Sequence, residues 1–325
     1  MKVTKQVVYT GVMGYCIGDA LGVPVECYTR TVLRENPVTD LREKGMHNQP
    51  KGTWSDASSM VFCLMESLCL GYNLKDIMDT FVQWYKYGYW TPHGDVFNID
   101  AATQVALGRY MQGKPPLECS DDTENSNGNG GLMWILPMAF YLAKEKDFEI
   151  RAKKISEIMT LTHRHPRNIL ASIIYVEFIL QLLLGKSKEE AYHDLQKTIL
   201  EHMQGNTELK WYSRILNEDI SQLHSSKIRT SEYVVDSLEA CIWSFLTNND
   251  YKSTVLAAVN LGEDTNTIGA LAGGLAGTYY GLHTKYTLPM NLGLAPFPLF
   301  ENWESQIIMH DQIKKLAFRF ASKVS

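Results

Sequence analysis

The chain has 325 residues, of which 45% are hydrophobic and 21% charged, and its formal net charge is −5. This composition is ordinary for a soluble globular protein. Because acidic and basic residues are mixed and no basic block stands out, we expect no nucleic-acid partner.

Three features of the sequence indicate a cytoplasmic protein without a membrane segment. The N-terminus has no long apolar stretch, so we expect no signal peptide. The most apolar run, Ile169–Leu184, contains Glu177 and Gln181, which favours a buried helix over a membrane span. The six cysteines form no Cys-x-x-Cys pair, which argues against a zinc or redox motif and fits a reducing compartment. We also expect a monomer.

Helical periodicity dominates the chain, and no convincing series of alternating strands or internal repeat is present. The segment Ser187–His202 is the clearest amphipathic helix, and its first four residues form a capping box. Linkers are short, so we predict one compact all-α domain over residues 1–325. Apolar residues also recur at helical spacing in Ser58–Leu70, Leu74–Tyr87, Ala101–Met111, Leu132–Ala143, Ile155–Leu161, Ile169–Leu184 and Val234–Leu246.

Two stretches interrupt this helical pattern. Lys114–Gly131 is rich in Asn, Gly, Ser and Asp, and a loop of that length in a helical domain is usually functional or disordered. The second stretch, Gln204–Ser226, has no clear periodicity and receives no assignment.

Glycine recurs at every fourth position in two segments near the ends of the chain. Since glycine costs stability inside a helix, we interpret the two stripes as central helices whose backbones approach closely; the alternative is glycine in frayed turns. Close packing would bring the Asp19–Glu26 region next to the Glu263–Thr267 region. The glycines are Gly14, Gly18 and Gly22, then Gly269, Gly273, Gly277 and Gly281.

Four clusters carry candidate chemistry: Gly18–Glu26, Gly52–Met60, Asn127–Met133 and Gly262–Thr267. The second and fourth each offer a carboxylate flanked by hydroxyl or amide oxygens, and such hard donors suit magnesium, manganese or calcium. Both are also typical of helix N-termini, where the same residue types cap the backbone. The glycine-rich third cluster precedes a helix and could cradle phosphate oxygens, although Asn-Gly runs are common in turns.

Together and in this order, the clusters resemble the ADP-ribosylglycohydrolase family, whose type member reactivates dinitrogenase reductase. Residues Gly18–Glu26 match the family pattern Gly-Asp-Ala-Leu-Gly-x-Pro-x-Glu in full. The family pattern continues with Ser/Thr-Asp-Asp-Ser/Thr, then Gly-Asn-Gly before a helix, then Thr-His and finally Asp-Thr-Asp-Thr. Thr162 and His163 supply the Thr-His element here. The resemblance covers most of the chain, from about Gly11 to Gly281.

The resemblance implies an orthogonal all-α bundle of roughly a dozen helices with two divalent cations, magnesium or manganese, in a central cleft. It implies catalytic roles for Glu26, Asp56 and Asp264, with Glu26 placed to position or deprotonate a water. It further implies metal ligands at Ser55, Asp56, Asp264, Asn266 and Thr267. Substrate-binding positions are implied at Asn98, at the phosphate loop Gly128, Asn129, Gly130 and Gly131, and at His163.

Four positions depart from the family pattern. Ala57 stands where the second Asp of the Asp-Asp pair is expected, and Asn266 replaces the last Asp of the fourth cluster. Asn98 replaces the Asp of a Phe-Asp-Ile-Gly motif, and Trp134 replaces an Arg. The first three changes remove negative charge from a site for two dications, so we expect one metal position to be weakened. The sequence leaves open whether Ala57 reflects altered specificity, lost catalysis or an introduced substitution.

The resemblance thus implies a hydrolase that removes ADP-ribose from an ADP-ribosylated protein, with arginine as the commonest target. Asn98 weakens the case for arginine, because an Asp there could pair with a guanidinium. One alternative is a catalytically weak ADP-ribose-binding module on the same fold. Another is a structural protein, since the family's scaffold also serves as a lens crystallin.

Overall fold

A computed structural model describes residues 1–284 and 297–325. In these ranges it contains fourteen α-helices and no β-structure beyond two isolated bridges, which confirms the predicted all-α class. The helices are α1 (Lys5–Gly22), α2 (Arg30–Glu35), α3 (Asp56–Leu68), α4 (Leu74–Tyr87), α5 (Ala101–Met111), α6 (Leu136–Tyr141), α7 (Phe148–Thr160), α8 (Pro166–Leu182), α9 (Lys188–His202), α10 (Ser213–Leu216), α11 (Val234–Leu246), α12 (Tyr251–Val259), α13 (Thr265–His283) and α14 (His310–Val324).

The periodic segments form helices, although one predicted helix is divided into two elements and another is longer than predicted. The predicted helix Leu132–Ala143 is wrong as a single element, because a 3₁₀ turn at Leu132–Trp134 precedes α6. Pro137 lies in the first turn of α6, where its missing N–H costs nothing, and it therefore marks a helix start. The predicted Ile155–Leu161 is the second half of α7, which begins after the Asp147 cap.

The remaining loops contain short helical turns. Lys114–Gly131 has one 3₁₀ turn, Pro116–Glu118. Gln204–Ser226 contains 3₁₀ turns at Thr207–Tyr212 and Ile220–Gln222, the four-residue α10, and the start of a further 3₁₀ turn. The apolar run around α8 is a buried helix, as predicted. Across residues 1–284 and 297–325, no helix combines the length and apolar character that crossing a membrane requires.

The two glycine stripes are helices α1 and α13, which pack antiparallel with their backbones in contact. A Cβ at Gly18 would lie 2.0 Å from the carbonyl oxygen of Gly269, and one at Gly14 would lie 2.7 Å from that of Gly273. Near the end of α1, the Thr265 hydroxyl donates to the Gly22 carbonyl over 2.8 Å. The stripes thus form a closely packed helix pair, as interpreted from the sequence, and they join the C-terminus of α1 to the N-terminus of α13.

This contact makes α1 intolerant of even one added carbon. We expect Gly18→Ala to lower the free energy of unfolding by about 3 kcal/mol or more, since overpacking here meets backbone and no flexible side chain. The matched control is Gly108→Ala in α5, where a Cβ would meet nothing within 4 Å and φ is not positive. That change should stabilise by roughly 0.5–1 kcal/mol. Urea unfolding measures both, and equal effects would contradict the packing argument.

Candidate active site

Glu26, Asp56 and Asp264 come from distant parts of the chain and line one cleft of about 300 Å³. A neighbouring side chamber of about 520 Å³ shares Glu26, Asp264 and Glu232 with this cleft. The α1–α13 pair explains why Glu26 and Asp264 meet, because it brings the C-terminus of α1 close to the N-terminus of α13. The cleft is lined by Glu26, Asp56, Asn98, Ile99, Asp100, Ala101, Asn129, Gly130, Met133, Glu232, Asp264, Asn266 and Thr267.

Helix capping explains one of the two oxygen-rich clusters but not the other. Ser55 is the N-cap of α3, and its hydroxyl accepts from the Ala57 amide over 3.2 Å. Asp264 occupies the corresponding position of α13 but makes no capping hydrogen bond. Its carboxylate instead accepts a hydrogen bond from the Asn129 side chain. The Asp264 carboxylate therefore faces the cleft and does not cap the backbone amides of its own helix.

Asp19, which was not among the predicted site residues, anchors the N-terminus of α3 to α1. Its carboxylate accepts from the Ser55 hydroxyl over 2.8 Å and from the Ser58 hydroxyl over 2.6 Å, and from both backbone amides. The side chain is fully buried, which raises its pKa to about 6 against the opposing effect of these hydrogen bonds. Its place within the Gly18–Glu26 motif was the available signal for this role.

The carboxylates of the cleft repel one another. Burial, together with the nearby charges of Asp19 and Glu26, raises the pKa of Asp56 to about 8. Burial and Glu26 likewise raise the pKa of Asp264 to about 7, although Asn129 opposes the shift. Such crowding is costly in the absence of positive charge, and it is typical of functional sites.

The glycine-rich loop is clamped by the segment that precedes α11. The Asn129 amide donates to the Glu232 carbonyl over 2.8 Å, and Gly128 forms an isolated bridge with Tyr233. Of the four predicted loop residues, Asn129 and Gly130 line the cleft, whereas Gly128 and Gly131 do not. Since the Asn129 amide is already engaged, it is not free to bind a phosphate.

His163 does not line the cleft, contrary to expectation, and lies behind Asp100. Its Nε2 is 3.1 Å from the Asp100 carboxylate, and its Nδ1 is 2.8 Å from the Thr162 hydroxyl. Burial raises the pKa of Asp100, but His163 and the hydrogen bonds from Thr103 together outweigh burial, and the pKa falls to about 2. A Cβ at Gly131 would lie 2.9 Å from the His163 Cβ, so His163 packs closely against this glycine.

Asp100 is a cleft residue that sequence reasoning missed. It stands where the family motif has glycine, caps α5 through the Thr103 amide over 2.7 Å, and lies against Gly130. Asn98 lines the cleft as expected. Trp134 is buried in the core, where its ring lies 5.2 Å from that of Phe81, so this departure from the family pattern lies away from the cleft.

The donor set of the cleft fits a hard cation. The Asn266 carbonyl oxygen is buried without a hydrogen-bond partner, and it lines the cleft together with Thr267 and the two crowded carboxylates. Ser55 fits less well, because its hydroxyl donates to Asp19 over 2.8 Å and accepts from the Ala57 amide. Within residues 1–284 and 297–325, no three His, Cys, Asp or Glu side chains are grouped closely enough to form a metal site of their own. Any cation here would therefore depend on neutral oxygens.

Comparison with known proteins gives one consistent result. A family model described as ADP-ribosylglycohydrolase matches residues 3–317. The ADP-ribosylarginine hydrolase Tri1 of Serratia proteamaculans is 28% identical over 94% of this chain and 76% of its own. The ADP-ribosyl-[dinitrogen reductase] glycohydrolase of Rhodospirillum rubrum is 26% identical, covering 83% and 84%. A solved structure of an ADP-ribosylglycohydrolase-related protein complex superposes with a TM-score of 0.78 at 26% identity, covering 99% of each chain.

Proposed function

Because the chain belongs to the ADP-ribosylglycohydrolase family, we propose that it is a hydrolase that removes ADP-ribose from a modified arginine side chain of a protein. The observation that carries the proposal is the meeting of Glu26, Asp56 and Asp264 in one cleft. The Serratia relative, whose name specifies ADP-ribosylarginine, supports arginine as the target.

Glu26 is the residue to which we assign proton transfer. Its side chain borders both the cleft and the side chamber, so a water held between them lies within reach of the carboxylate. The carboxylate accepts a proton from this water as the water oxygen bonds to the anomeric carbon. The bond from that carbon to the arginine nitrogen breaks, its electron pair stays on the nitrogen, and the nitrogen takes up the proton that Glu26 received from the water.

We propose that magnesium or manganese binds at Asp56, Asp264, Asn266 and Thr267. Such cations bind ribose hydroxyls and orient water in a hydrolytic site. The side-chain oxygen of Asn266, which has no hydrogen-bond partner, and the raised pKa values of Asp56 and Asp264 support this assignment. Ala57 offers no ligand beside Asp56. If two cations bind, we therefore expect one of them to bind with lower affinity.

The acidic character of the cleft and side chamber suits a guanidinium. Glu26, Glu232 and Asp264 line both spaces, and Glu263 adds a fourth carboxylate in the side chamber. The charge missing at Asn98 is therefore supplied by neighbours. We further propose a cytoplasmic monomer that binds no nucleic acid; the six cysteines, all unpaired, support a reducing compartment.

Release of ADP-ribose from an ADP-ribosylated arginine peptide tests the proposed function. The assay uses the full chain with magnesium or manganese, and an ADP-ribosylated serine peptide as the comparison. Release from arginine above the uncatalysed rate supports the proposal, whereas release from serine alone changes the target. Calorimetric binding of ADP-ribose without release from either peptide would favour the binding module.

The phosphate loop offers a test that does not depend on turnover. A Cβ at Gly130 would lie 2.4 Å from the Asp100 side chain in the cleft, whereas one at Gly128 would meet only the Glu232 carbonyl at 3.8 Å. We expect Gly130→Ala to weaken ADP-ribose binding by about tenfold, a cost of about 1.4 kcal/mol. Gly128→Ala should stay within about twofold. Calorimetry compares the two, and equal affinities would remove the loop from the binding site.

A further inference from the structure

The carboxylate of Glu26 has a partner that lies outside all the family motifs. His47 Nε2 makes a short contact with Glu26 Oε2. Both side chains are largely buried, at 19% exposure for the imidazole and 15% for the carboxylate, so water competes little for this contact. One carboxylate oxygen is thus engaged by His47, and the other remains for the cleft.

The backbone around His47 is built to hold the ring in place. Lys44 and Gln49 close a tight turn through N–H···O bonds of 2.6 and 3.3 Å. Gly45 adopts φ +65°, and a Cβ there would lie 1.7 Å from the Pro24 carbonyl oxygen. The turn therefore packs directly against the Val23–Val25 segment that leads into Glu26, and this contact fixes the backbone of His47 relative to that of Glu26.

The ring of His47 is fixed from a second side. It lies 5.3 Å from the ring of Phe97 at an interplanar angle of 55°. Phe97 directly precedes Asn98, which lines the cleft. The imidazole therefore lies between Glu26 and Phe97, with Nε2 directed at the carboxylate of Glu26.

We propose that His47 is a positioning residue for Glu26, donating its Nε2 proton to Oε2 so that the other oxygen faces the water to be activated. This inference rests on the proposed function. The charged groups that act on His47 are Glu26 and, more weakly, Asp56 and Asp19. All are acidic, and the hydrogen bond to Glu26 is the largest of the effects that raise the pKa of the imidazole, against the opposing effect of burial.

Kinetics of two His47 variants test the role. With ADP-ribosylated arginine, we expect His47→Leu to lower kcat about tenfold while KM changes less than about twofold, since orientation and not substrate contact is lost. His47→Gln keeps an N–H donor and should recover most of kcat. A purely structural histidine would lower stability in His47→Leu without a selective loss of kcat, and His47→Gln would not recover kcat.

The matched control is a second histidine–carboxylate pair that lies away from the cleft. His310 Nε2 is 3.0 Å from Glu304, so His310→Leu removes an equivalent contact and should lower stability while kcat is kept. Wild-type kcat in His47→Leu would overturn the positioning role and leave the hydrolase function intact. If the wild type releases no ADP-ribose, NMR titration of the imidazole decides independently: Glu26→Gln should lower the pKa of His47, and an unchanged value rejects the pair.

Discussion

Asp264→Asn is expected to lower kcat by at least about 100-fold and yet to stabilise the metal-free protein at pH 8. The substitution removes a charge on which the proposed cation site depends, and loss of even an outer partner at such sites costs roughly 10–100-fold. Without metal, the same charge is unfavourable, because burial and Glu26 raise the pKa of Asp264 to about 7. We expect a stability gain of roughly 1–2 kcal/mol at pH 8 in EDTA.

The pH dependence follows from the sign of this shift. A carboxyl whose pKa is higher in the folded chain stabilises the fold fully below its ordinary value of 3.8. That contribution is lost as the pH rises through about 7, so the advantage of Asp264→Asn should grow between pH 5 and pH 8. Urea unfolding in EDTA at the two pH values measures it. Added manganese should raise the Tm of the wild type and have little effect on the variant.

The control for this prediction is a buried carboxylate outside the cleft. Glu177 is paired with Arg151 through contacts of 2.6 and 2.8 Å between α7 and α8. Glu177→Gln should cost about 3 kcal/mol of stability, since it leaves a buried cation without its counter-charge, and it should keep kcat. If Asp264→Asn also destabilised at pH 8, the charge crowding inferred for the cleft would be wrong.

Ala57→Asp is expected to raise ADP-ribose release from the arginine peptide by at least about tenfold with magnesium or manganese present. The chain as it stands should bind ADP-ribose but turn over slowly. Ala57 is fully buried in the first turn of α3, where the helix N-terminus favours a carboxylate. The new carboxylate would supply the ligand missing beside Asp56. Because it also adds negative charge to a crowded site, manganese should stabilise this variant more than the wild type.

Ala57→Asn is the control that separates the effect of the added charge in Ala57→Asp from the effect of the larger side chain. It adds a side chain of nearly the same volume, and we expect little gain in turnover. A variant Ala57→Asp that gains metal affinity but leaves release from both peptides at background would shift attention to Asn98 and Asn266. In that case the ADP-ribose-binding module becomes the better description of the chain.

The parts of the fold that depend on local pattern could be predicted from the sequence. The four-residue glycine period identified α1 and α13 and their close contact, because a close backbone approach offsets the stability that glycine costs inside a helix. The capping box of α9 was equally readable. α2, α10, α12 and α14 were missed, and Pro137 was not recognised as a helix start. The prediction of one domain over residues 1–325 stays a prediction.

The site was predictable in its motifs but not in its contacts. Order along the chain pointed to Glu26, Asp56 and Asp264, yet it could not show that Asp100 lies between His163 and the cleft. Nor could it distinguish Ser55 as a helix cap from Asp264, whose carboxylate faces the cleft. These distinctions depend on which atoms meet across long sequence separations, and no spacing rule encodes them.

The pairing of α1 with α13 also sets an order of events during synthesis. Gly22 and Thr265, whose groups meet at the base of the site, are 243 residues apart in the chain. At a translation rate of about 5–20 residues per second, α1 leaves the ribosome roughly 12–50 s before its partner exists. Every residue from Val7 to Gly22 is buried in the folded protein, so these residues are exposed to solvent until α13 is available to pack against them. We therefore expect the apolar surface of α1 to stay exposed on the nascent chain until α13 has been synthesised.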